Sequence, residues 1–198
     1  IRDRIAQEVV KHYMEKRMDN QFHENSYGYR PMKSSSQAIE QVRKNCLEQD
    51  WVVDMDISKF FDQIDHGLML KAVAWMHKEK WVTMYVQRWL EMKVEKPDGT
   101  QQEKEGKGTP QGGVISPLLA NLFLHFALDK WLSKEYPRIN FVRYADDIVL
   151  HCSGKTEAEE VLQAVKQRLT EVKLQLNEKK TKIVYCKDYR RSGDHEKV

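Results

Sequence analysis

The sequence predicts an α+β fold, an antiparallel sheet with helices packed on one face. Three observations lead there. WVVDMDI (51–57) and INFVRYADDIVLHC (139–152) are apolar, β-branched and partly alternating, as half-buried strands are. Several longer stretches repeat apolar residues at helical spacing. Strands and helices do not alternate strictly, so a parallel βαβ sheet is disfavoured and segregated helices are the economical solution. Such a sheet leaves its other face free for a partner.

Taken in order, Ile1, Ile5, Val9 and Tyr13 form one i, i+4 row and predict a helix over residues 1–18. HENSYGYRPMKSSS (23–36) is polar and turn-rich around Gly28 and Pro31. A second helix starts near Ser34 to Ser36, with Ser34 and Gln37 spaced as a capping box. Ile39, Val42, Cys46 and Leu47 give its apolar face. After the strand at 51–57, helices follow at about 66–78 and 81–92. Trp81, Tyr85 and Trp89 share one face of the second and are expected to pack into the core.

Pro97-Asp98-Gly99 then marks the turn of an exposed polar hairpin, because Pro presets φ and Gly accepts φ > 0. Ser116-Pro117 reads as an N-cap followed by Pro at the first helical position. The helix over about 117–135 is apolar nearly all round, so it is expected to be buried on several sides. Two strands around a tight turn occupy 139–152. Ala158, Val161, Leu162, Val165, Leu169 and Val172 mark an amphipathic helix, and KLQL and TKIVYC close the chain as two short strands.

Composition narrows the class. The 198 residues suffice for one domain with a proper core, or one domain plus part of another. No apolar run approaches the ~20 residues of a membrane span, and no signal segment opens the chain. The three cysteines show no CxxC spacing, so zinc and a disulfide framework are disfavoured and a reducing, cytoplasmic setting fits. Net charge is only +3. From Glu178 to Val198, seven Lys/Arg face four acids, an excess equal to that of the whole chain. This strip either faces phosphate or is solvated, and for the final ten residues we expect a solvated tail.

The chemistry centres on RYADDIVLHC (143–152). Adjacent Asp146 and Asp147 repel each other, and burial disfavours their charged forms. Two carboxylates held together are stable if they share divalent cations, and Mg2+ prefers oxygen ligands plus substrate phosphates. A third acid is needed. DMDISKFFD supplies Asp54, Asp56 and Asp62, among which the residues alone do not choose. Asp65, beside a helix start, is expected to be a cap. Gly106, Gly108, Gly112 and Gly113 crowd a loop before a helix, where backbone can approach a phosphate closely, and Gln111 offers a donor and an acceptor.

YADD, DISKFFDQIDH and GKGTPQGGVISPLLANLFLH together resemble reverse transcriptases, most closely the group II intron-encoded branch, also called intron maturases. IRDRIAQ, SYGYRPMKSSSQAI and LNEKKTKI are similar to that family's first, second and sixth blocks, in the family's order. The resemblance implies a right-hand polymerase palm over residues 49–198 and part of the fingers over 1–48. It implies two-metal transfer of dNTPs onto a primer 3′-OH, in support of intron retrohoming. Asp56, Asp146 and Asp147, with the carbonyl of Ile57, would hold two Mg2+ ions, for which Mn2+ can substitute. Phe61 would be the steric gate against a ribose 2′-OH. Gln111, Gly112, Gly113 and Tyr144 would contact the incoming nucleotide or primer-template. Lys180 would be the general acid toward pyrophosphate, with Lys179 adjacent.

Expected partners are an RNA template, a DNA or RNA primer, dNTPs and intron RNA, with no membrane and a homodimer through surfaces left open. A cytoplasmic, bacterial, nucleoid-associated setting follows. Fingers residues before Ile1 and a thumb after Val198 are missing by comparison with the family, so this piece alone is expected to be weak or inactive. The alternatives are an intron RNA-binding splicing module or a CRISPR-associated reverse transcriptase of intron descent. Phe61 and YADD argue against an RNA-dependent RNA polymerase, and PQGG before a long helix argues against a nucleotide cyclase.

Overall fold

The computed structural model describes residues 2–95, 101–102, 105–109, 112–187 and 191. The chain divides into two compact units, Ile1–Phe22 with Lys59–Phe126, and His23–Ser58 with Ala127–Val198. No described helix is long and apolar enough to cross a membrane.

The first unit is mostly helical. It holds α1 (Arg2–Met18), the short α3 (Phe60–Gln63), α4 (His66–Met76), α5 (Lys80–Glu91) and α6 (Ser116–Leu124). α4 packs on α5 and α6, and α1 on α6. Asp65 caps α4 by accepting from the Leu68 N–H at 2.9 Å, as its position before a helix start predicts. α6 starts at Ser116 with Pro117 in its first turn, one residue earlier than the cap reading, and is buried all round. The helix predicted over 117–135 passes through a π-helical segment, His125–Asp129, and ends as α7 (Lys130–Glu135). β2 (Val94–Glu95) pairs antiparallel with β3 (Gln101–Gln102), while Pro97-Asp98-Gly99 lies outside the described residues.

Helical spacing located α1 but pointed to the wrong stripe. Gln7, Val10, Met14 and Met18 are buried, whereas Ile5 and Val9 are 61% and 66% exposed. Gln7 is at home inside because its side-chain oxygen accepts from the Ile115 N–H at 3.5 Å. The aromatic stripe of α5 is core only at Trp89; Trp81 and Tyr85 are exposed, and Val82, Val86 and Leu90 do the packing.

The second unit is built on a four-stranded antiparallel sheet in the order β4-β5-β1-β6. The strands are β1 (Trp51–Asp56), β4 (Asn140–Tyr144), β5 (Asp147–Cys152) and β6 (Lys182–Tyr185). Val53, Met55, Ile148 and Leu150 line one fully buried face, and α8 (Lys155–Glu171) packs on β1, β5 and β6 with Ala158, Val161, Val165 and Leu169 buried. α2 (Ser35–Glu48) lies against β4 and β5. Its capping box is formed: Ser34 Oγ accepts from the Gln37 N–H at 3.3 Å, and Gln37 Oε1 accepts from the Ser34 N–H at 2.8 Å. Its inward residues are Ala38 and Asn45, whereas Ile39 and Leu47 are exposed.

KLQL forms only a single bridge, Leu176 to Ile57, not a strand. Most of the final ten residues lie outside the described set, but Arg191 does not behave as solvated tail. Its guanidinium donates to the carbonyls of Cys46 at 2.7 Å and Cys186 at 2.9 Å and pairs with Asp50 at 2.8 Å. The three thiols are free, and burial pushes that of Cys152 up to about 12.

Candidate active site

One end of the sheet in the second unit gathers the acids. Asp147 opens β5 directly opposite Asp56, the last residue of β1, and Tyr144 faces Asp147 from β4. Successive strand residues point to opposite faces, so Asp54, Asp56, Asp147 and Tyr144 share one face, with Lys182 opposite Asp54. Asp146 occupies the two-residue turn between β4 and β5. Ala145 precedes it at φ 56°, at the turn position where glycine is favoured.

Asp56 is held from two sides. The Asn177 amide donates to its Oδ2 at 3.1 Å, and the Asn177 N–H donates to its main-chain carbonyl at 2.8 Å. The Lys180 ammonium lies 3.3 Å from the same Oδ2. Lys180, not its neighbour Lys179, is therefore the lysine that contacts Asp56. Ile57 is buried beside Leu176, and the Ser58 N–H donates to the Gln175 carbonyl at 2.8 Å, so the segment leading to β6 is laced to the end of β1.

Electrostatics identify what this end lacks. Burial raises the pKa of the Asp146 carboxyl; a backbone hydrogen bond within Asp146 opposes this in part, Asp147 and Asp56 push it further up, and Lys180 pulls it down. Asp54, though exposed to solvent by area, is also raised, by partial desolvation from the groups around it and then by Asp147, while Lys182 pulls it down. Negative charge at the site thus exceeds what the two lysines neutralise. The donors are all carboxylate oxygens, a hard set that suits Mg2+. Among the described residues, no three His, Cys, Asp or Glu side chains stand close enough together to hold an ion as they are.

The first unit carries the other predicted residues. Phe61 is half-buried on α3, its ring centroid 5.6 Å from that of Phe60. Its carbonyl accepts from the Thr109 N–H at 2.7 Å, and the Gly108 N–H donates to the Ile64 carbonyl at 2.8 Å, so the glycine-rich loop is tied to α3. Gly108 has φ 86°, and a side chain there would also crowd the Asp62 carbonyl. Gly112 is exposed at φ 74°, Gly113 is half-buried, and Gln111 lies outside the described residues. Asp62, one of three acids open from sequence, is exposed on α3, whereas Asp54 and Asp56 share a sheet face with Asp147.

Sequence reading missed Asn177, although it heads the NEKK run in a quoted motif. It also missed the buried ion pair of Arg143 with Asp129, for which a charged residue inside a β-branched strand was the only signal.

Residues 1–196 match the family described as reverse transcriptase (RNA-dependent DNA polymerase). Protein YkfC of Escherichia coli is 32% identical over 95% of this chain and 58% of its own length. The group II intron-encoded protein LtrA of Lactococcus lactis is 33% identical over 66% of this chain and 21% of its own. The chain thus spans less than two thirds of either relative. The structure of apo telomerase from Candida tropicalis truncated from its C-terminal domain shares the fold, with a TM-score of 0.69 at 14% identity, covering 95% of this chain and 41% of that one.

Proposed function

We propose, from the premise that the chain belongs to the reverse transcriptase family, that it carries the polymerising centre of an RNA-directed DNA polymerase of the group II intron-encoded kind. Its substrates are a primer on an RNA template and dNTPs, and intron RNA is a further partner. By role, residues 1–48 are part of the fingers and 49–198 the palm. Asp56, Asp146 and Asp147, with the Ile57 carbonyl, hold Mg2+, or Mn2+ in its place. When bound there, these ions supply the Lewis acidity and charge neutralisation that in-line nucleotidyl transfer requires.

The chain's own residues do the rest. Asn177 fixes the rotamer of Asp56 by gripping its carboxylate and its backbone together. Lys180, whose ammonium lies 3.3 Å from Asp56, donates a proton to the leaving pyrophosphate. Phe61 excludes a ribose 2′-OH, and Gln111, Gly112, Gly113 and Tyr144 contact the nucleotide or primer-template.

One observation carries this reading: Asp56 and Asp147 are in register across β1 and β5, with a strained turn presenting Asp146 beside them. The test is primer extension on poly(rA)/oligo(dT) with Mg2+ by the full-length protein, with and without Asp146→Ala/Asp147→Ala. We expect extension that the double variant abolishes. Wild-type protein that binds the primer-template but never extends it would replace this reading with that of an RNA-binding splicing module.

A further inference from the structure

We infer that Gly28 and the buried Arg143–Asp129 pair are positioning residues that hold Ala145 in its positive-φ conformation and thereby aim Asp146 and Asp147. This rests on the reading of those two aspartates as metal ligands. A non-glycine residue at φ 56° persists only where its surroundings over-determine it. Two independent features do so here.

The first is the guanidinium of Arg143, which is wholly buried. Its Nε and Nη2 donate to the two carboxylate oxygens of Asp129 at 2.8 and 2.6 Å. That leaves Nη1, which donates to the Ala145 carbonyl at 3.0 Å. The fork is planar and rigid, so once Asp129 grips one edge, the direction of the third bond is set. Asp129 ends the π-helical segment and is itself completely buried, so the anchor cannot swing. Arg143 lies opposite Ile148 on the sheet face away from Asp56 and Asp147. It acts on the acids through backbone, and Asp129 cancels its charge.

The second is Gly28. A Cβ there would overlap the backbone nitrogen of Ala145 and come within 3.1 Å of its Cα and of the Tyr144 carbonyl carbon. Those are main-chain atoms, which cannot rotate away. The segment cannot retreat either: the Tyr27 N–H donates to the Arg143 carbonyl at 2.8 Å, and the Arg143 N–H donates to the Asn25 carbonyl at 2.9 Å. The turn is clamped between a backbone that touches it and a guanidinium that pulls its carbonyl.

The experiment uses the full-length protein, steady-state primer extension, Mn2+ binding followed by electron paramagnetic resonance, and thermal melting. Gly28→Ala and Arg143→Lys are expected to lower kcat about 10- to 100-fold, since a displacement of about 1 Å at a reacting centre costs that much. They weaken Mn2+ binding about tenfold, as loss of a group supporting metal ligands does, and move KM for dNTP by less than about threefold. Adding Ala145→Gly to Arg143→Lys, where glycine adopts positive φ without steric cost and needs no bond to its carbonyl to hold it there, recovers at least about fivefold of the lost kcat; in Gly28→Ala it gives no recovery, because the overlap is with main-chain atoms that remain. A merely structural role of Arg143 would give no recovery in the first case. Wild-type kcat and Mn2+ binding in both single variants, or no recovery when Ala145→Gly is added to Arg143→Lys, overturns the inference. Should Arg143→Lys fail to fold, Gly28→Ala alone carries the test: a folded variant with lowered kcat, weakened Mn2+ binding and near-wild-type KM for dNTP supports the inference, and wild-type kcat and Mn2+ binding overturn it. A wild-type protein that neither extends a primer nor binds Mn2+, or an Asp146→Ala control that extends normally, would instead overturn the polymerase reading.

Discussion

The sheet face that holds Asp56 has two ends built from the same strands. At one end lie Asp54, Asp56 and Asp147, with Tyr144 beside them; at the other lie Val52, His151 and Asn140. The second end is covered. α2 places the Asn45 amide 3.3 Å from His151 Nδ1, the Asn140 carbonyl lies 3.2 Å from the same nitrogen, and Tyr27, Ala38 and Val42 pack on Val142. Burial lowers the pKa of the His151 ring and so favours its neutral form. The first end is open, with Asp54 and Asp147 exposed and Asp146 raised by burial and by its acidic neighbours. Neutral polar groups tolerate a helix on top of them when they are hydrogen-bonded. Clustered carboxylates do not, because desolvation and repulsion compound. The alternation of the strands supplied both ends; the charge of the side chains decided which could be roofed over and which stayed accessible.

The largest expected effect tests the open end. Asp56→Asn keeps the shape of the side chain and its contact with Asn177 but removes the charge. Primer extension by the full-length protein should fall about 1,000-fold, roughly 4 kcal/mol of barrier, with the melting temperature within a few degrees of wild type. A variant that retains more than about a tenth of wild-type activity would remove Asp56 from the metal-binding set.

The covered end predicts a pH dependence of stability. His151 is depressed by burial, so between its folded pKa and the ordinary value of 6.5 the unfolded chain binds a proton that the folded chain does not. Stability is therefore full above about pH 6.5 and declines as pH falls, by at most about 1.4 kcal/mol per pH unit for this group. Urea denaturation at pH 7.5 and 5.5 measures it, and His151→Gln should flatten the difference. His23 and His77, also depressed by burial, leave a residual slope.

A smaller effect tests the roof itself. Ser34→Ala removes half of the capping box of α2 and should cost about 1 kcal/mol of stability without altering primer extension in proportion. Loss of activity beyond the loss of folded protein would mean that the two ends are coupled through α2. The smallest effect is a stabilisation. In the presence of a chelator, Asp146→Asn removes a charge that burial and its neighbours disfavour, and should raise stability by about 0.5–1 kcal/mol. Added Mg2+ should then raise the melting temperature of wild type and not that of the variant.

Legibility followed the range of the interactions. The β4–β5 hairpin, the strand at 51–56, the capping box of Ser34 and the Asp65 cap were all readable, because each is decided within a few residues. The faces of α1 and α2 were not. In α1, the row Ile5, Val9, Tyr13 and the row Val10, Met14, Met18 both have helical spacing, and only the second is buried. In α2, Ala38 and Asn45 turn inward because Val142 and His151 meet them, while the bulkier Ile39 and Leu47 stay outside.

By itself, then, the sequence determined most of the elements, the motif order that marks the family, and the concentration of acids at a hairpin turn. The tertiary structure decided which acid of DMDISKFFD stands opposite Asp147, that Asn177 and Lys180 close on Asp56, and that Arg143 is buried against Asp129 rather than offered to a ligand. The physical reason is the same in each case. Periodicity and turn chemistry are local, whereas the partner of a charge and the cover over a surface come from residues 14 to 121 positions away.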